Sequence, residues 1–175
     1  MKSTSSGYTL VELMVAVGLF ALIMTLSAGS YVMMIGLNRQ VQALTLGTNS
    51  LSFALDTMLR TIRSGSAYNC NGIGDCNGAG SFSFTDKDGN NITYRLSGGA
   101  IQETIGSVND YLTDASSVTI TSLTFYAYGT EPYSTGANKD QARVSITVTG
   151  IIRYGPNKTQ NFAIETGATM RGSDL

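Results

Sequence analysis

The sequence predicts an α+β protein: one long N-terminal helix, transmembrane in its first half and amphipathic in its second, packed against a C-terminal antiparallel β-sheet. Three observations predict it. From Leu10 to Met34 the only charged side chain is Glu12. From Leu37 onward apolar residues recur at steps of three and four, the period of an α-helix. Beyond Ser64 the period switches to two, with Gly-, Asn- and Asp-bearing turns between the runs.

The first element begins in GYTLVELMVAVGLFALIMTLSAG, residues 7 to 29. An apolar run of about 25 residues is long enough to cross a bilayer. A cleavable signal peptide needs a basic start, a short apolar stretch and a small-x-small cleavage site. Here the start carries one cation, Lys2, and the apolar run continues past Ser27-Ala28-Gly29 to Ile35. A plain signal anchor explains the length but not Glu12, because a carboxylate within lipid costs about 2.5–3.5 kcal/mol on insertion scales.

The stretch Gly7-Tyr8-Thr9-Leu10-Val11-Glu12, ahead of an apolar helix, resembles the class III leader of type IV pilins and pseudopilins. The resemblance implies a pilin-like fold and a specific processing route. A membrane aspartyl enzyme, the prepilin peptidase, would cut between Gly7 and Tyr8. Tyr8 would become the N-methylated first residue and Glu12 the fifth. Removing the leader lowers Lys plus Arg from 11 to 10 against 12 acidic side chains, a side-chain balance of −2. The implied layout is a cleaved leader at 1–7, a transmembrane and filament-core helix at 8–35, its amphipathic continuation at 36–64, and a β-rich domain at 65–175. The implied function is that of a structural subunit, a minor pilin or pseudopilin of a type IV pilus, a type II secretion pseudopilus or a DNA-uptake filament. Its partners would be the prepilin peptidase, other pilins in a helical filament, an inner-membrane assembly platform and membrane lipid. The chain would cross the inner membrane once, with its C-terminal domain outside the cytoplasm, before entering the filament. In this family Glu12 would neutralise the methylated N-terminus of a neighbouring subunit. The alternative is a membrane-anchored β-rich binding module, adhesin-like, that never polymerises.

The helix continues beyond the membrane run. Leu37, Val41, Leu44, Thr48, Leu51, Leu55, Met58 and Ile62 form one stripe, polar only at Thr48. Asn38, Arg39, Gln40, Asn49, Asp56, Arg60 and Arg63 fall elsewhere on the surface. One helix from Tyr8 to Ser64 would be roughly 85 Å long at 1.5 Å per residue. Gly18, Gly29, Gly36 and Gly47 interrupt it, each weakening an exposed helix by up to about 1 kcal/mol relative to alanine. Two readings stand for these glycines: close helix–helix packing, or local melting on assembly. Relatives in the resembling family often carry a proline about 22 residues into the mature chain. Gly29, flanked by Ser27 and Ser30, holds that position here and would be the helix joint.

The period-two region starts with Phe82 and Phe84. The turn Asp86-Lys87-Asp88-Gly89-Asn90-Asn91 leads to Ile92, Tyr94 and Leu96, a hairpin pattern with Asp-Gly supplying the turn. Ser97-Gly98-Gly99 turns into a strand at 100–105. Further strands are expected at 118–128, 143–154 and 161–166, with a polar loop from Gly129 to Asp140. The Met58–Arg63 helix end, Tyr94-Arg95-Leu96 before Gly-Gly, and the closing Glu165–Arg171 look most like W-type minor pilins and J-type pseudopilins. Major pilins in this family close their C-terminal end with a disulfide, and no cysteine follows Cys76.

The same composition narrows the chemistry. Histidine and tryptophan are absent, which removes the commonest general base and metal ligand. No nucleophile elbow, phosphate loop or metal cluster is present, so the reading is not an enzyme, and no cofactor or metal is called for. Asp86 and Asp88 read as turn formers rather than a hydrolytic carboxylate pair. The turn does not fit a calcium-binding EF-hand, in which Gly stands sixth and Glu twelfth. Some pseudopilins bind calcium, so another geometry stays open. No basic patch supports nucleic acid. Cys70 and Cys76 are either two thiols or a small disulfide, the latter favoured by an oxidising compartment. Asn91-Ile92-Thr93 and Asn157-Lys158-Thr159 fit the glycosylation sequon, a pattern frequent by chance.

Overall fold

The computed structural model describes residues 7–72, 74–130, 141–155 and 157–170. Leader residues 1–6, most of the 129–140 loop and Arg171 lie outside the described residues. By contacts the chain divides into two units, one ending at Val41 and one beginning at Gln42.

Helix α1 runs Leu10–Arg63 and contributes to both units. The second unit also holds nine strands among the described residues: β1 Ser66–Asn69, β2 Cys76–Ala79, β3 Ser81–Thr85, β4 Asn91–Ser97, β5 Ala100–Ile105, β6 Val108–Tyr111, β7 Val118–Tyr128, β8 Arg143–Gly155 and β9 Lys158–Thr169. This is the α+β, pilin-like arrangement of one long helix against antiparallel strands. The strands form two sheets rather than one. A five-stranded sheet has the order β1-β3-β4-β5-β6, and a four-stranded sheet the order β2-β7-β8-β9. The break falls at Asp114–Ser117. There the Asp114 carboxylate accepts the Ser116 N–H and the Ser116 and Ser117 hydroxyls, and its carbonyl accepts the Val118 N–H. That turn redirects the chain away from β6, so β7 pairs with β2 and β8 instead.

Turn chemistry sets the local registers. At the β3–β4 turn the Asp86 carbonyl accepts the Gly89 N–H at 3.2 Å, and Gly89 takes φ 86°, which suits glycine. Gly98 and Gly99 both have positive φ, 59° and 78°, the requirement of a two-residue hairpin turn matched to strand twist.

The core lies between the helix and both sheets. The helix buries Gly47, Leu51, Ala54, Leu55, Met58 and Ile62. The stripe expected from Leu37 packs later than its periodicity implies: Leu37, Val41 and Thr48 are exposed, and Leu44 is half-buried. Gly47 is buried for a steric reason, since a side chain there would run into Ile152 and Val118. The Phe82 and Phe125 rings stack with centroids 5.4 Å apart and join the two sheets. Each fully buried aromatic of this kind stabilises by about 1.5–3 kcal/mol. A second tie is polar: buried Tyr94 donates its hydroxyl to Glu103 at 2.8 Å and lies 2.7 Å from the Thr61 hydroxyl of α1. A disulfide joins Cys70 to Cys76.

Candidate functional site

The N-terminal segment concentrates the sequence-predicted residues. Gly7, Tyr8 and Thr9 precede the helix and are exposed. A peptidase needs non-helical, accessible backbone, and the Gly7–Tyr8 bond lies in such backbone. Helix α1 starts at Leu10 because Thr9 caps it. The Thr9 hydroxyl accepts the Glu12 N–H at 3.3 Å, and the Thr9 carbonyl accepts the Leu13 N–H at 3.2 Å. Helices leave their first N–H groups unpaired, and a threonine cap satisfies one of them. The signal for this role was present in the sequence: Thr9-Leu10-Val11-Glu12 is the S/T-x-x-E pattern that precedes apolar helices. The glutamate pattern and the cap are the same four residues.

Glu12 sits in the first helical turn, where the helix dipole favours negative charge. Around it the helix is apolar on every side. Its best membrane window has a mean hydropathy of 2.3 and none of its residues buried. A helix hydrophobic all round belongs in lipid or within a bundle. Three hydroxyls in this run are paired within the helix. Thr25 donates to the Leu22 carbonyl at 2.9 Å, Ser27 to Ile23 at 2.8 Å and Ser30 to Leu26 at 3.1 Å. Such internal pairing is what an apolar surrounding demands of a polar group. The helix is continuous through Gly29, and nothing lies within 4 Å of where its side chain would be.

Residues 2–28 match the model of the prokaryotic N-terminal methylation motif. The chain therefore carries a type IV prepilin-like leader. The motif covers Gly7, Tyr8, Glu12 and the first part of the apolar helix, and ends just short of Gly29. No curated protein and no solved structure matches the chain.

The second unit presents no comparable constellation. Among the described residues no group of three His, Cys, Asp or Glu side chains is placed to hold a metal. Asp86 directs both carboxylate oxygens at its own turn, toward the Asp88 and Asn90 N–H groups and the Asn90 amide. Those bonds, led by the ones from Asn90, hold its carboxyl below the usual range. Lys87 pairs with Asp88 in the same turn. Another set of contacts was not legible in sequence: Asp75 accepts hydrogen bonds from Gly129 and Thr130, over fifty residues away.

Proposed function

We propose that this chain is a filament subunit of the type IV pilin class, a minor pilin or pseudopilin, processed between Gly7 and Tyr8 and methylated on Tyr8. The observation that carries the reading is the methylation-motif match over residues 2–28, with Glu12 the only charge from Leu10 to Met34. The uninterrupted helix and the exposed backbone before it support the same reading. The chain inserts once in the inner membrane, with residues 65–175 outside the cytoplasm. Residues 8–35 form the filament core with their counterparts in other pilins, and 36–64 lead into the β-rich domain. The assembly platform extracts the subunit from lipid.

Glu12 guides that extraction. Cleavage leaves an α-amino cation at Tyr8, four residues before its own Glu12. When helices bundle, a lone carboxylate in a dry environment is expensive, and one paired with a neighbour's N-terminal cation much less so. The subunit whose carboxylate finds that cation is the one held in register.

Two measurements test the reading. Mass spectrometry of the isolated protein is expected to find N-methylated Tyr8 as the first residue. An intact Met1 would show a plain anchor carrying a β-rich binding domain and would end the filament reading. Glu12→Leu is expected to insert in membranes normally but to fail to enter filaments. Normal incorporation of that variant would remove Glu12 from the assembly step.

A further inference from the structure

We propose that the Cys70–Cys76 disulfide and the neighbouring Asp75 carboxylate form a redox-set latch that holds strand β2 on the outer edge of β7. The inference is independent of the filament reading, because it concerns only the second unit.

Strand β2 is poorly equipped to stay in place. It is four residues long, Cys-Asn-Gly-Ala, and meets β7 through the pairs Cys76↔Ala127, Asn77↔Tyr126 and Ala79↔Phe125, with a register shift between Asn77 and Ala79. Gly78 sits at φ 97° inside it. Asparagine and glycine are weak strand formers, and so short a strand has little side-chain packing to hold it. Two ties compensate, and they are adjacent in sequence. Cys76 is bonded to Cys70, which is buried in the core at the end of β1 with its Cα 5.9 Å away. The bond thus connects the four-stranded sheet to the five-stranded one. Asp75, the next residue back, reaches the two residues just past the end of β7. It accepts the Gly129 N–H at 3.2 Å, the Thr130 N–H at 2.8 Å and the Thr130 hydroxyl at 2.7 Å. Partial burial pushes the Asp75 carboxyl up, but the Thr130 and Gly129 hydrogen bonds outweigh this and hold it below the usual range. Gly74 leaves no slack, since a side chain there would stand 2.9 Å from the Thr130 hydroxyl oxygen.

Because Asp75 and Cys76 are consecutive, the disulfide aims the carboxylate. A dithiol reductant transfers two electrons and two protons, giving the Cys70 and Cys76 thiols while closing its own disulfide. The covalent tie is then gone, Asp75 is released from its fixed bearing, and β2 lifts from β7. That uncovers the β7 backbone between Phe125 and Ala127. An uncovered strand edge is a template for pairing with another chain. The oxidised chain hides this edge and the reduced chain presents it.

Amide exchange read by mass spectrometry on the full-length chain in detergent tests the latch. Treatment with dithiothreitol is expected to speed exchange across 74–80 and 124–130 by about tenfold or more, leaving the β8 segment 144–150 unchanged. A Cys70→Ser/Cys76→Ser chain should behave as the reduced protein does. Asp75→Asn, with the disulfide intact, should loosen the same two segments by a smaller factor. Unaltered exchange at 74–80 after reduction would overturn the proposal. So would equal acceleration at 144–150, which would show that the disulfide supports the whole unit rather than one strand.

Discussion

Replacing Gly150 by alanine should destabilise the second unit, although the same change in a strand interior ordinarily stabilises. Glycine pays the largest conformational entropy on folding, so alanine would by itself gain about 0.5–1 kcal/mol. Gly150 lies mid-strand in β8, opposite Ile120 of β7 and Phe162 of β9. A methyl group there would stand 2.5 Å from the Thr119 carbonyl oxygen and 2.8 Å from the Phe162 ring. Carbon–oxygen contacts normally lie at about 3.3–3.6 Å, so something must retreat by nearly an ångström. Phe162 can swing, because it is half-buried on an edge strand. The Thr119 carbonyl cannot, because β7 has a register shift just beyond Ile120 and the Ile120 N–H is tied to Gly99 at 2.8 Å. Overpacking of this kind costs about 1–3 kcal/mol, and a stretched ladder bond adds about 1 kcal/mol. The net is a loss of about 2 kcal/mol. For a unit of this size that lowers the melting temperature by about 6 °C. Thermal unfolding followed by circular dichroism of the detergent-solubilised chain reads it. Gly80→Ala serves as the control, since nothing lies within 4 Å of its side-chain position, and it should leave stability unchanged or raise it by up to about 1 kcal/mol. A Gly150→Ala melting temperature equal to or above wild type would refute the steric argument.

Tyr94→Phe removes the hydroxyl between Glu103 and Thr61 and should cost about 1–2 kcal/mol, visible in the same melt. Burial first, and then Glu103, raise the Tyr94 pKa, with Thr61 acting against them. The fold therefore keeps this contribution below the ordinary tyrosine range and loses it as pH rises beyond, because the unfolded chain ionises first; the alkaline loss of stability should be smaller in Tyr94→Phe. Thr9→Ala deletes the helix cap and should cost about 1 kcal/mol at the helix start, seen as faster exchange of the Glu12 amide with no change in the melting of the β-rich unit.

The helix was legible because its signals are local. An apolar run followed by a three-and-four stripe specifies α1 to within a residue or two of Leu10–Arg63. The β3–β4 and β4–β5 hairpins were legible for the same reason, as their turns lie at Asp86–Asn90 and Gly98-Gly99. Glu12 stood out as the lone charge of its run. The Thr9 cap was equally local, and its four-residue pattern coincides with the leader motif that contains Glu12.

What escaped is nonlocal. Strands β1, β2 and β6 read SAYN, CNGA and VNDY, compositions with little strand preference, and each is a strand only because a partner pairs with it. Where the helix stripe starts to pack was set by the sheets' placement rather than by its periodicity, so Leu37 and Val41 carry the pattern without the burial. By itself, then, the sequence determined the leader, the charge at Glu12, the long helix and two hairpins, all consequences of neighbours within a few residues. The division into two sheets, the closeness that forbids a side chain at Gly150, and the grip of Asp75 on Thr130 depend on chain segments brought together from far apart, and only the tertiary structure decided them.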